Sequence, residues 1–181
     1  METQTLYQNA IKFATARHEE KSQKVKGTEL PYVVHLSNVA MEILIAAPAT
    51  ENFNLDFAIQ VALLHDTLED TQTEFSELET EFGSEVANAV NALSKNKAVP
   101  KADQMNDSIA RTKKLQPEVW AIKLADRITN LQPPPANWSD EKRLKYQEQA
   151  RMILSELGSG NNFLAKRLAF KIEEYGNYTS K

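Results

Sequence analysis

Cysteine is absent from the 181 residues, so disulfides, thiolate metal sites, iron–sulfur clusters and thiol nucleophiles are excluded by inventory. Any metal must then sit on nitrogen and oxygen. Glycine is scarce, at five residues, and turn residues show no regular spacing, which weighs against a many-turned sandwich or barrel and for an all-α fold. Long apolar runs are also missing. The longest, Ile43 to Ala49, falls far short of the ~20 residues a membrane helix needs, and the polar N-terminus lacks the apolar segment of a secretory signal. No membrane partner is expected, and cytoplasm is the simplest compartment. Nor is there an excess of positive charge. A net charge of −4 argues against extended binding to a nucleic-acid backbone, which runs on a positive surface. A small phosphorylated ligand needs only a local cation cluster. Three are present: Lys21, Lys24 and Lys26; Lys95, Lys97 and Lys101; Arg111, Lys113 and Lys114, although such a cluster is more often a solvated face.

What is present is an ordinary globular composition, 41% hydrophobic and 25% charged, and a length that fits one domain over residues 1–181. Apolar residues recur at three- and four-residue steps from Thr3 to about Glu20, predicting a first helix. A polar loop from Lys21 to Leu30 carries Gly27, and Pro31 then opens a second helix with His35 near its start. Asn54 is a candidate N-cap for a third helix, nearly apolar all round from Phe57 to Leu64 and therefore central. Gly83 separates helices over about Glu74 to Phe82 and Ser84 to Ser94, and Lys95 to Ala102 is a loop. Further helices are expected from about Asp103 to Lys114, from Pro117 to the run Pro133–Pro135 that must end it, from Ser139 to about Leu157, and after the turn at Gly158 to Asn162.

The central helix runs into His65-Asp66-Thr67-Leu68-Glu69-Asp70-Thr71. Buried polar groups left unpaired cost about 1–3 kcal/mol each, so charged residues on a core helix need partners. If the helix persists, His65 and Glu69, and Asp66 and Asp70, form i, i+4 pairs facing one pocket. A metal ion is a sufficient partner, since neutral imidazole and ionised carboxylate together suit manganese, iron, zinc or similar ions. Two ligands are too few. His35 and Asp126 fall on otherwise apolar segments and are candidates to join them, although either taken alone reads first as a satisfied core or cap residue.

Taken in order, Pro31-Tyr32-Val33-Val34-His35, Ala62-Leu63-Leu64-His65-Asp66-Thr67-Leu68-Glu69-Asp70-Thr71 and Lys123-Leu124-Ala125-Asp126-Arg127 resemble the hydrolase domain of RelA/SpoT-type alarmone enzymes, over about Ala16 to Tyr146. The resemblance implies an HD-domain helical bundle in which His35, His65, Asp66 and Asp126 ligate one divalent ion, usually Mn²⁺. It implies removal of the 3′-pyrophosphate from ppGpp or pppGpp, with Glu69 and Asp70 as the catalytic pair. By their own chemistry, these two acids could orient a water or move its proton, or be solvated turn acids. Substrate contacts carried over are Lys24 and Lys26 from the basic loop, Lys97 from Ser94-Lys95-Asn96-Lys97, Asn130, and Tyr146. Asn130 could equally cap its helix, and Tyr146 could be a core aromatic.

The basic loop reads Lys24-Val25-Lys26-Gly27 where the family has an adjacent Arg-Lys pair, and Leu36 follows His35 where it usually has proline. An ammonium in place of a stacking guanidinium changes the contacts available to a base. This keeps open the same site acting on (p)ppApp or on the 2′-phosphate of NADPH, and a nucleotide-binding module without turnover. The 55 residues after Asp126 leave no room for the synthetase domain of long family members, so a stand-alone hydrolase is expected, its helices over 139–176 packed on the motif core.

Overall fold

The computed structural model describes residues 2–179. Ten α-helices form there: α1 (Thr3–Glu19), α2 (Val33–Ala46), α3 (Leu55–Leu64), α4 (Thr67–Asp70), α5 (Phe75–Phe82), α6 (Ser84–Leu93), α7 (Gln104–Thr112), α8 (Pro117–Asn130), α9 (Asp140–Leu157) and α10 (Asn162–Gly176). No strand forms among the described residues. The isolated bridge between Lys24 and Pro31 pinches the loop before α2 into a narrow finger, and α2 consequently starts at Val33 rather than at Pro31.

The core is assembled around α3, where Phe57, Ala58, Ile59, Val61, Ala62, Leu63 and Leu64 are all buried. A helix apolar on every side must be covered on every side. Helices α1, α2, α6 and α8 cover it, and α9 and α10 pack as an antiparallel pair on α8. Asn54 caps α3 as expected, its Oδ1 accepting from Phe57 N at 3.1 Å. The buried Glu118 of α8 accepts the Asn54 backbone N–H at 2.8 Å, so the start of α3 is tied to the start of α8.

Two helix ends decide where the chemistry sits. At the end of α3, His65 Nδ1 donates to Ala62 O at 2.8 Å and Thr67 Oγ1 donates to Leu64 O at 2.7 Å. These bonds satisfy the terminal carbonyls and break the helix at His65–Asp66, so α3 ends where the polar string begins, and a kink and the short α4 follow it. At the end of α6, Ser108 Oγ donates to Ala92 O and Leu93 O at 3.0 and 3.1 Å, Arg111 Nη2 to Ser94 O at 2.6 Å, and Lys123 Nζ to Leu93 O at 3.0 Å. Cationic donors are favoured at a helix C-terminus, and here they fix the origin of the Lys95 loop. Gly83, at φ +85°, joins α5 to α6 in a conformation closed to L side chains.

Candidate metal centre and catalytic cavity

His35 comes from the first turn of α2, His65 and Asp66 from the kink after α3, and Asp126 from the middle of α8. Their donor atoms converge. His35 Nε2 lies 3.4 Å from His65 Nε2, 3.3 Å from Asp126 Oδ1 and 3.6 Å from Asp66 Oδ2. His65 Nε2 lies 3.0 Å from Asp66 Oδ2 and 3.6 Å from Asp126 Oδ1. Both imidazoles are buried.

The second layer fixes their directions. Because His65 Nδ1 donates to Ala62 O, its Nε2 is the nitrogen turned inward. Asn130, one turn after Asp126, donates to Asp126 Oδ1 at 2.5 Å, and the Tyr32 hydroxyl donates to Asp66 Oδ2. Burial, and after it the charge of Asp66, holds the Tyr32 phenol above its usual range, so it remains a donor. Burial also opposes charge on His65, Asp66 and Asp126, but their mutual attraction wins. His65 is held well above the usual imidazole range, and both carboxyls below the usual carboxylate range. A centre that favours positive charge among two inward imidazole nitrogens and two carboxylates fits a divalent cation. His35, His65 and Asp126 present ligand atoms within 4.8 Å of one another. Asp66 lies outside that group but borders it, its Oδ2 3.6 Å from His35 Nε2 and 3.0 Å from His65 Nε2.

This cluster forms the floor of a cavity of about 400 Å³, in whose walls Glu69, Asp70, Lys24, Lys26, Asn130 and Tyr146 also stand. The two acids differ. Both oxygens of Glu69 are engaged by Lys95: Oε2 accepts its backbone N at 2.9 Å, and Oε1 takes its ammonium. Asp70 gives Oδ2 to Gln23 Nε2 at 2.9 Å, while among the described residues no donor bonds to Oδ1. Burial and the charge of Asp66 push the Asp70 carboxyl above its ordinary range, which makes it a better proton acceptor than a solvated aspartate.

Of the expected substrate contacts, Lys97 is exposed and lies outside the cavity lining, whereas Lys95, two residues earlier, is in it. The Lys95 backbone N–H is aimed at Glu69 by the capped end of α6, and Lys97 stands beyond that point. Tyr146 is half-buried with its phenol pushed up to about 12 by desolvation, and its ring lies 4.3 Å beneath the Arg127 guanidinium and edge-on to Trp138 at 5.2 Å. Lys26 Nζ sits 4.6 Å over the Trp138 ring. Sequence reasoning assigned no role to Tyr32, Gln23, Arg127 or Trp138. A cation one residue after a ligand on an apolar helix was a signal for Arg127; Gln23 gave none.

The sequence over residues 10–160 matches the family model described as HD domain. A mouse protein, guanosine-3′,5′-bis(diphosphate) 3′-pyrophosphohydrolase MESH1, is 31% identical over 172 residues, covering 92% of this chain and 93% of that one. A guanosine-3′,5′-bis(diphosphate) 3′-pyrophosphohydrolase of Aquifex aeolicus is 32% identical over 158 residues, covering 83% of this chain and 20% of that longer one. A solved structure described as a metazoan ortholog of SpoT that hydrolyses ppGpp superposes with a TM-score of 0.81 at 28% identity, covering 94% of this chain and 96% of that one.

Proposed function

Because this chain belongs to the HD-domain family, we propose that it is a metal-dependent 3′-pyrophosphohydrolase of guanosine alarmones, converting ppGpp or pppGpp and water to GDP or GTP and pyrophosphate. The observation that carries this reading is the free oxygen of Asp70 standing in the same cavity as the His–Asp cluster. Relatives named for the reaction match along nearly the whole chain.

His35, His65, Asp66 and Asp126 hold one divalent ion, with manganese the metal proposed. When bound, such an ion supplies polarisation of a phosphoryl oxygen and acidification of a water. The remaining work falls to the chain. Asp70 Oδ1 accepts the proton of the attacking water, whose oxygen forms a bond to the 3′-phosphorus as the bond from that phosphorus to the ribose 3′-oxygen breaks. The ribose oxygen takes a proton from solvent as it leaves, Asp70 later returns its own proton to solvent, and pyrophosphate is released. Glu69 holds Lys95 at the cavity wall, where its ammonium meets the phosphates. Burial opposes the charge on Lys95, but the bond to Glu69 outweighs it and keeps the ammonium protonated. Lys24, Lys26, Asn130 and Tyr146 line the space left for the nucleotide.

The test is product release from ppGpp, ppApp and NADPH in parallel, scoring pyrophosphate and phosphate, with manganese-loaded protein and an Asp66→Ala control. Pyrophosphate released from ppGpp and lost in the control is the expected result. Preference for ppApp or NADPH would assign the altered Lys24–Lys26 loop to another base, and silence on all three would remove the enzymatic reading.

A further inference from the structure

His18 is the histidine that the metal cluster leaves unused, and it is 1% exposed near the end of α1. From it a hydrogen-bonded chain runs into the cavity. His18 Nδ1 meets Gln23 Oε1 at 2.8 Å, and Gln23 Nε2 donates to Asp70 Oδ2 at 2.9 Å. The direction of this chain is fixed from its far end. An ionised carboxylate only accepts, so the Gln23 NH₂ faces Asp70, its carbonyl faces His18, and His18 Nδ1 must carry the hydrogen. His18 Nε2 is then bare, sealed from solvent and without a hydrogen-bond partner among the described residues. A second arm leaves the same ring, which packs on Tyr32 with centroids 4.6 Å apart, and Tyr32 in turn donates to Asp66. The backbone repeats the connection: Gln23 N donates to His18 O at 3.1 Å, and Tyr32 N donates to Gln23 O at 3.2 Å.

We infer that His18 and Gln23 are positioning residues for hydrolysis: together they clamp Asp70 by Oδ2 and leave Oδ1 as the oxygen that meets the reacting water. The inference rests on the role given to Asp70 above. A carboxylate free to turn about its Cβ–Cγ bond presents either oxygen, and Gln23 supplies the side-chain hydrogen bond that prevents this. A neutral amide suits the task, because a cation in its place would hold the carboxyl low and weaken it as a base. An amide alone, however, can flip and turn its carbonyl toward the carboxylate. The hydrogen on His18 Nδ1 blocks the flip, which gives a buried, neutral histidine a reason to stand two links from the chemistry.

The test compares manganese-loaded wild type with Gln23→Met, His18→Phe, His18→Asn and the Gln23→Met/His18→Phe double variant on ppGpp. Removing an orienting partner of this kind costs about 10–100-fold, and the loss should fall on kcat in Gln23→Met and in His18→Phe, with KM and metal content unchanged. The double variant should be no slower than Gln23→Met, and His18→Asn, whose amide replaces the lost donor, should recover most of the rate. Imidazole ¹⁵N spectra add a readout independent of turnover: His18 should show the Nδ1-protonated tautomer, and Gln23→Met should abolish that preference. Gln23 is partly exposed, so its variant carries the test even if the His18 variants unfold. A wild type silent on ppGpp removes the substrate reading, and the spectra still decide the relay. An Nε2-protonated His18, additive losses in the double variant, or a rise in KM at unchanged kcat would overturn it.

Discussion

Glu69 and Asp70 are neighbours in sequence with opposite situations in space, and the difference lies in which oxygens are already taken. Glu69 spends both on Lys95, whereas Asp70 keeps one free. Asp70→Asn should therefore lower kcat by about 10²–10⁴-fold, the usual reach of general-base catalysis, with metal binding retained. Glu69→Gln, which loosens Lys95, should act mainly on KM, and steady-state kinetics on ppGpp separate the two. His18 supplies a pH prediction. Burial lowers its pKa in the folded protein below the value of about 6.5 in the unfolded chain. The unfolded state thus binds the proton more readily. Stability is indifferent to this group above pH ~6.5 and declines as pH falls from there through the folded pKa. Melting temperature against pH should show that decline in wild type and a shallower one in His18→Asn. At this scale the sequence was legible where a charged string interrupted an apolar helix, as at His65-Asp66. It was mute for Gln23, because a glutamine in a polar loop looks like any other until the loop is folded back onto α4.

The helices were readable because their apolar periodicity, caps and prolines agree, as with Asn54 before α3, Pro117 opening α8 and Ser139 before α9. That α3 stops at Leu64 and does not persist through Asp70 has a physical reason. Thr67 Oγ1 and His65 Nδ1 take carbonyls that the next helical turn would otherwise have used, and side-chain competition of this kind leaves no mark on hydrophobic spacing. The kink still brings His65, Asp66, Glu69 and Asp70 to one cavity, by a different geometry. The turn between α9 and α10 gives an element-scale test. A Cβ on Gly160 would meet Trp120 Cβ at 2.7 Å and Cε3 at 3.0 Å. Gly160→Ala should destabilise by about 1–3 kcal/mol through overpacking, lowering the melting temperature by roughly 2–4 °C per kcal/mol. The indole is held from its other side by its Nε1 bond to Leu115 O at 3.0 Å and cannot retreat freely. An unchanged thermal melt would show that α10 shifts to make room.

Across the whole molecule, α2, the α3–α4 kink and α8 each bring part of one charged cluster, and the inward Nε2 atoms of His35 and His65 reach the Asp126 carboxylate only across elements. A ligand that binds only the folded state raises stability by about 2.7 kcal/mol at a hundredfold excess over its Kd. Manganese should therefore raise the melting temperature of wild type and leave Asp126→Ala unmoved, as read by calorimetry with and without chelator. Because His35 and His65 stand 30 residues apart and Asp126 lies far beyond both, the proposed metal centre is also a clock on folding. Individual helices form on local instructions, while the cluster exists only after distant stretches of chain have met, and non-local meetings are the slow ones. On dilution from urea with metal in excess, the far-ultraviolet helical signal should return first and turnover later, the interval between them measuring how long the protein is shaped but not yet an enzyme.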